Sequence, residues 1–550
     1  MIFTISLFLF WNIEISQYGN NFLGSDSFII VERILNSDHL RWFEQTYLSQ
    51  FGIQSIILSL MHSGLFGFSV IDVSLQSSLV ISLATSFIFS IPSYKLLKLA
   101  GIYSVVLYWI SLALSPWVLP FSYSLYWVPF TIMLPFAISF VTGKMLFNGN
   151  KLLMLSMISV AMIIKCLCGY EYITTVTLFA CGGYVFSLIG TEYKAKISDL
   201  VLIFLACIIG FIISVLIHSL QLNSINSEYG FSTILNRVEL HTGTDGGADY
   251  AQILISHLSS RPGNDDIIKL LSSGVEDHKI LFIWSSFKEY FYLPALVLFD
   301  RTISFGWFVA VSIIISATSV ISISKKYRNL FSKDFILYSF GCLLIVAGVF
   351  SWQILAWHHM TIHFHLNGQL FAYGIVPVSM ISLGVLIHRL IGKTTKLRDI
   401  STKTPTFIVG LCCVYLSLIS SFSYKGNIYD NFQTYSKSGV EVVGSVDQAT
   451  ISQTSSELYR GMGLPTSRIF LSGWAMSNGK MPPKLFVLIN GGLVGEVSPN
   501  IERDDVKKIY PDAGSNSGFT FAYDVPGNIT KNDIKVLASN GSGGYSEMKF

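Results

Sequence analysis

Charge is scarce in this chain. Only 13% of its 550 residues are Asp, Glu, Lys or Arg, while 51% are apolar. A soluble domain carries roughly a quarter charged residues, so the composition excludes an ordinary soluble protein and indicates an integral membrane one. The formal charge of +3 identifies no partner, and nothing in the sequence points to nucleic acid. Cysteine is absent from the long hydrophilic regions. All seven lie in apolar segments or just outside one (Cys166, Cys168, Cys181, Cys207, Cys342, Cys412 and Cys413), which excludes a disulfide framework for the polar parts. There is no phosphate-cradling glycine loop, dinucleotide-binding glycine pattern, nucleophile elbow or zinc-type cysteine spacing. This argues against ATP hydrolysis and against a nucleotide-sugar domain. No internal repeat of the transporter kind is visible.

What is present is a series of apolar runs, each matched to about 30 Å of hydrocarbon. They fall near 1–15, 75–92, 100–118, 124–143, 151–167, 172–190, 197–218, 302–323, 334–352, 368–388 and 405–424, about eleven spans. The run at 46–66 differs. Gln50, Gln54, Ser59 and His62 form one polar stripe on a helix, which reads as a helix lying in the interface. With that exclusion the basic loops fall on one side: Lys95/Lys98, Lys144/Lys151, Lys194/Lys196, Lys325 to Lys333 and Arg389 to Lys403. The opposite short loops, 68–74, 118–124 and 353–367, hold no lysine or arginine. The positive-inside rule then places the amino terminus in the cytoplasm and the carboxyl terminus outside.

The expected architecture is an α-helical polytopic membrane protein with a small all-β domain at its end. Residues 1–424 form the membrane module, with outer loops at 14–74 and 219–301, followed by a polar connector at 425–467. From 468 to 550 the pattern turns to period two. RIFLSGWAMS, KLFVLINGGLVGEV, GFTFAYDV and DIKVLASNG alternate between turn signals, as strands of a β-sandwich do.

Candidate site residues collect in the outer regions. Asp26 is placed to act as general base toward an acceptor hydroxyl, or equally to cap the helix that follows. Lys165 and Glu171 flank CLCGY at the end of a span. Ionisable groups there pair, snorkel or work. The working reading has Lys165 on a lipid phosphate and Glu171 orienting a sugar hydroxyl, with Tyr170 and Tyr172 stacking on the sugar or belonging to the aromatic belt. In the stretch 352–367, four of the eleven histidines (His358, His359, His363 and His365) lie within eight residues. His359 and His363 are four apart and share a helical face, a spacing that permits a divalent metal. Without an adjacent acidic residue, hydrogen bonding to pyrophosphate or sugar is the preferred reading, with Asn367 in the same polar pocket. Arg237 and Lys288 in the 219–301 loop are candidates for phosphate oxygens, or solvated loop charges.

Several motifs carry a resemblance. A first outer loop with Asp26 leads to an interfacial helix ending in Leu65-Phe66-Gly67 and a span beginning near Leu75. With SYSLYWVPF at 122–130, KCLCGYEYITT at 165–175 and WHHMTIHFHLN at 357–367, this resembles the GT-C superfamily of integral-membrane glycosyltransferases, in particular a bacterial group associated with surface polysaccharide. The tail, with LSGWAMSNGK and LINGGLVGEV, is similar to small β domains appended to bacterial glycosyltransferases. The resemblance implies an inner-membrane enzyme, a polyprenyl-phosphate-linked sugar donor and a periplasmic glycan or lipid acceptor (O-antigen, lipopolysaccharide or capsule). Transfer would proceed usually with inversion and with no required cofactor, and Asp26 would be the catalytic carboxylate, with Glu32 and Asp38 close by. Lys165, Arg237 and Lys288 would neutralise the departing lipid phosphate. Glu171, Tyr170, His358, His359, His363, His365 and Asn367 would orient the substrates. An O-antigen polymerase or ligase shares the layout of many spans and one large outer loop. A flippase would need polar residues at mid-membrane depth.

Overall fold

A computed structural model describes residues 2–17, 30, 50–65, 70–118, 121–242, 254–255, 258, 264–273, 278–298, 301–323, 332–362, 364–394, 436–437, 442–454, 466–477, 485–489, 492–497, 499, 501–511, 516–526, 529–539 and 544–548. The chain is mostly helical, with small sheets in its carboxyl-terminal region. It divides into two units, residues 1–245 with 290–424 and residues 246–289 with 425–550.

The first unit is built from α1 (Ile2–Gln17), α2 (Ile53–Ser59, continued as one π-helical stretch, Leu60–Leu65), α3 (Val70–Ala100), α4 (Ile102–Ala113), α5 (Pro129–Thr142), α6 (Lys151–Cys168), α7 (Ile173–Ser187), α8 (Ile197–Ile225) and α9 (Phe231–Thr242). Helices α10 (Asp265–Ser273) and α11 (Lys279–Tyr292) follow, the second crossing the unit boundary, and then a hairpin of β1 (Pro294–Leu298) and β2 (Arg301–Ser304). The unit closes with α12 (Phe305–Ile323), α13 (Lys333–Leu355), α14 (Trp357–Ile362), α15 (Phe364–Tyr373) and α16 (Ile375–Thr394). Among the described residues, six helical segments are long and apolar enough to cross a membrane: Gln76–Ala100, Pro129–Leu146, Lys151–Cys168, Ile197–Ile225, Lys333–Leu355 and Asn367–His388. Ile102–Ala113, Ile173–Ser187 and Phe305–Ala317 are apolar but shorter. The run at 405–424 lies outside the described residues.

Small and hydroxylated residues bring these helices close, as expected where apolar surroundings remove any hydrophobic drive between them. Helix α7 sits at the centre, packed on α5 and α13. A Cβ on Gly183 would fall 2.4 Å from the Phe136 carbonyl oxygen, so only glycine admits that crossing. Helix α3 turns Ser78, Ser82, Thr85, Ser86 and Ser90 inward. Thr4 Oγ1 meets Ser90 Oγ at 2.6 Å, and Trp109 Nε1 donates to Ser6 Oγ at 3.0 Å.

Three sequence expectations change here. The span expected from 124 starts at Pro129, because residues 121–128 are turns and the residue before a proline is kept out of the helical region. The stretch 353–367 is not a loop: α13 runs to Leu355 and two short helices follow at once. The first half of the polar stripe, Gln50 and Gln54, faces protein. Gln54 is buried and donates to the carbonyls of Tyr126 and Cys168, both at 3.2 Å, while Ile57 is the exposed side chain.

In the second unit, strands β3 (Ser436–Lys437), β4 (Val442–Thr454), β5 (Thr466–Ser477), β6 (Leu485–Ile489), β7 (Gly492–Val497), β8 (Gly518–Pro526), β9 (Ile534–Ser539) and β10 (Gly544–Glu547) form two sheets, ordered β3-β10-β9-β6-β7 and β4-β5-β8. One apolar cluster draws on both: Val446, Ile469 and Leu471 from the smaller sheet, Leu485, Val487 and Val536 from the larger. The supposed connector at 425–467 therefore contains β4, a strand that pairs with β5 along most of its length. Helix α17 (Asp504–Ile509) is tied to β4 by Arg503, which donates to Asp447 Oδ2 at 2.7 Å and to both Asp505 oxygens. Those hydrogen bonds hold the Asp505 carboxyl at about 2.

Candidate functional site

The turn between α6 and α7, Gly169 to Tyr172, carries or adjoins several of the expected site residues. Tyr172 caps α7 with φ 66°, and Val128, just before α5, has φ 42°. Among the described residues these are the two non-glycine positions in left-handed conformation. The conformation is unfavourable for any side chain and most of all for a β-branched one, and such strain concentrates where function needs a fixed geometry. The two positions adjoin, since the Trp127 ring stacks on Tyr172 with centroids 5.7 Å apart and planes at 17°.

A directional hydrogen-bond chain runs through the Tyr172 hydroxyl. Gln369 Nε2 donates to it at 3.0 Å, it donates to Asn367 Oδ1 at 2.7 Å, and Asn367 Nδ2 donates to the His359 carbonyl at 3.2 Å. Tyr172, Asn367 and Gln369 are fully buried. Trp352 meets Tyr172 edge-on at 5.7 Å and His359 edge-on at 6.1 Å. Spare capacity remains around this chain: Trp127 Nε1, Trp352 Nε1 and Gln369 Oε1 are buried without a partner. Unmatched donors beside an unmatched acceptor suit a group that both gives and takes hydrogen bonds.

Lys165 ends α6 and is 3% exposed. Its ammonium donates to the Gly169 carbonyl at 2.5 Å, and the described ion pairs, all in the second unit, do not include it. Pairing of Lys165 with Glu171 across the turn is therefore absent. The negative end of the α6 dipole offsets part of the burial, yet a buried ammonium with one neutral partner keeps two donors for an anion.

The other expected residues divide. Tyr170 turns away from the cluster: its hydroxyl reaches Ser214 O at 3.3 Å and His218 Nδ1 at 3.2 Å, and its ring stacks on His218. Burial pushes that phenol well above its ordinary value. Tyr172 takes the place expected of Tyr170, because the left-handed residue reverses the chain and sends the two rings to different neighbours. His358 is buried against Trp357, ring centroids 3.7 Å apart. His359 contributes its carbonyl and its ring edge. His363 lies outside the described residues, as does Asp26, and so do the side chains of His365, on α15, and Arg237, on α9. Lys288 is half-buried on α11, in the second unit. Among the described residues, no three His, Cys, Asp or Glu side chains gather as a metal site would require.

Trp127, Trp352 and Gln369 were not expected from sequence. Tryptophan at the end of a span reads as belt, and Gln369 reads as part of a span. Only Gln50 and Gln54 left a signal, as the polar stripe.

At the other end of α7, about 22 Å away for its length, the side chains are basic and structural. Lys95 caps the Phe186 and Ser187 carbonyls at 2.9 and 2.5 Å, and Lys333 donates to the Thr191 carbonyl.

No family model, curated protein or solved structure matches this chain.

Proposed function

We propose that this chain is a membrane glycosyltransferase of the GT-C kind, moving a sugar from a polyprenyl-phosphate carrier to a surface glycan or lipid acceptor. The observation that carries the reading is the buried Lys165 ammonium, without a carboxylate partner and bound to the Gly169 carbonyl, at the turn that leads into Tyr172 and its ring-and-amide cluster of Trp127, Trp352, Asn367 and Gln369. A phosphate-linked sugar presents an anion next to a polyol. A buried cation, aromatic faces and planar amides complement those two parts.

Lys165 would bind the phosphate of the donor and gain as the anomeric carbon–oxygen bond breaks and charge builds on the leaving group. Arg237, in the same unit, is a further candidate for the same charge, and Lys288 stands on the sequence reading alone. The aromatic rings and amides would fix the sugar, and Asp26 enters through the superfamily resemblance. Two things support a lipid-carried donor: the apolar helices, which suit a bilayer, and the lack of a nucleotide-binding motif. The fuller architecture belongs to this proposal: about eleven spans in an inner membrane, the amino terminus cytoplasmic, the Tyr172 cluster facing the periplasm, and the two carboxyl-terminal sheets forming a periplasmic sandwich.

The test is mass spectrometry of the surface polysaccharide from a deletion strain and its complemented partner. Loss of one sugar per repeat is expected. Loss of the polymer ladder with intact repeats would assign the chain to polymerisation or ligation instead, and an unchanged glycan would refute both.

A further inference from the structure

Two side chains converge over the backbone of Gly169, and the Tyr172 network uses neither of them. A Cβ placed on Gly169 would fall 2.4 Å from Glu171 Oε2 and 3.0 Å from Gln50 Oε1. The carboxylate and the amide thus share the small space that the missing side chain leaves. Gln50 is 1% exposed, and neither its amide nitrogen nor its oxygen has a partner. Its position is imposed by the chain around it. The Gly52 amide donates to the Leu167 carbonyl at 2.9 Å, Gln221 Nε2 to the Phe51 carbonyl at 3.4 Å, and Gln54 is clamped on two carbonyls one turn further on. Burying a primary amide with nothing to bond is unfavourable, so the amide waits for a group from outside the fold. Glu171 is half-buried and is not among the described ion pairs. The cation nearest in sequence, Lys165, spends its described bond on the Gly169 carbonyl.

The chemistry of the missing group follows from what these side chains offer. A carboxylate only accepts hydrogen bonds, while a primary amide gives and accepts. The atom that Gln50 places over Gly169 is its Oε1, an acceptor like the carboxylate, so the pair suits a sugar edge with two neighbouring hydroxyls, one donating to Glu171 and one to Gln50. We infer that the Gly169 cradle holds the acceptor hydroxyl and that Glu171 is the carboxylate that takes its proton, the role that the superfamily resemblance gives to Asp26. This rests on the glycosyl-transfer reading above. As the proton passes to Glu171, the acceptor oxygen bonds to the anomeric carbon. The bond from that carbon to the phosphate oxygen breaks, and its electron pair leaves with the lipid phosphate, held by Lys165. The proton then moves from Glu171 to the released phosphate, leaving a lipid monophosphate, a glycosylated acceptor and the carboxylate as it began. Gln50 Oε1 accepts from the neighbouring hydroxyl and so fixes the orientation of the acceptor.

The test uses the full chain, restored to the deletion strain as wild type, Glu171→Gln, Glu171→Asp and Gly169→Ala, with surface-glycan mass and protein level read together. Glu171→Gln keeps the shape and loses the base, and should slow modification by about 10²- to 10⁴-fold at normal protein level. Glu171→Asp should retain partial transfer. Gly169 has φ 169°, extended backbone that alanine adopts freely, so Gly169→Ala should accumulate normally. Its methyl group would displace the carboxylate, and transfer should fall at least tenfold. Modification at the wild-type level by Glu171→Gln overturns the assignment. Should that variant fail to accumulate, wild-type transfer by both Glu171→Asp and Gly169→Ala overturns it instead. If wild type and deletion strains carry the same glycan, the transfer reading fails and this inference falls with it. If they differ while Glu171→Gln matches wild type, only the role of Glu171 fails.

Discussion

Tyr172 combines two unfavourable features, a left-handed backbone and a fully buried phenol, and the hydrogen-bond chain through its hydroxyl offsets them. Replacing it with phenylalanine keeps the ring stacked against Trp127 but strands Asn367 Oδ1 and Gln369 Nε2 in a buried setting. Each unpaired buried group costs roughly 1–3 kcal/mol. We therefore expect Tyr172→Phe to lower the unfolding midpoint in detergent clearly, and glycan modification to fall with it. An unchanged midpoint would show that the network adds no stability. At this scale the sequence was only half legible. The motif KCLCGYEY announced ionisable and aromatic groups at a span end, where Lys165 bonds the Gly169 carbonyl and Tyr172 bonds Asn367. Which of Tyr170 and Tyr172 belongs to the cluster depended on a single backbone angle that the residue type does not reveal.

Secondary elements were legible where periodicity is strong. Strands β5, β6, β7, β8 and β9 fall where alternation puts them. Strand β4 hid in a segment read as a connector, because its outward residues are polar and its inward ones few: Val446 is buried, and Ala449 and Ile451 are partly so. Pairing with β5 supplies the backbone hydrogen bonds that composition did not promise. The contact between α17 and β4 is electrostatic and exposed, so it depends on pH and salt. The folded-state value of Asp505 lies below that of an unfolded aspartate, about 3.9. Its stabilisation is therefore present above that value and lost as pH falls through about 2. Hydrogen exchange of the 504–509 amides should show wild type better protected than Arg503→Gln at pH 5, with the difference closing toward pH 2. A constant difference would assign the protection to packing by Val506 and Tyr510 instead.

At the scale of the whole chain, α8 separates two kinds of surface. Lys194 precedes it and Glu228 follows it, both exposed, and the five described cysteines are buried, which limits background labelling. In intact cells a membrane-impermeant maleimide should modify Glu228→Cys and spare Lys194→Cys until the membrane is opened. The reverse pattern would invert the orientation and move the Tyr172 cluster to the cytoplasm, where a lipid-carried donor would have no advantage over a nucleotide sugar.

By itself the sequence determined that the chain is built of apolar helices with a β-rich tail, and which loops are basic. Those properties are sums over many residues, and hydropathy, charge and period two survive without knowledge of neighbours. The tertiary structure alone decided that the stripe of Gln50 and Gln54 turns inward, that Trp127 and Gln369 join Tyr172, and that the space over Gly169 is shared by a carboxylate and an amide. Such facts hinge on distances between residues far apart in the sequence, which only the packing of helices around α7 brings together.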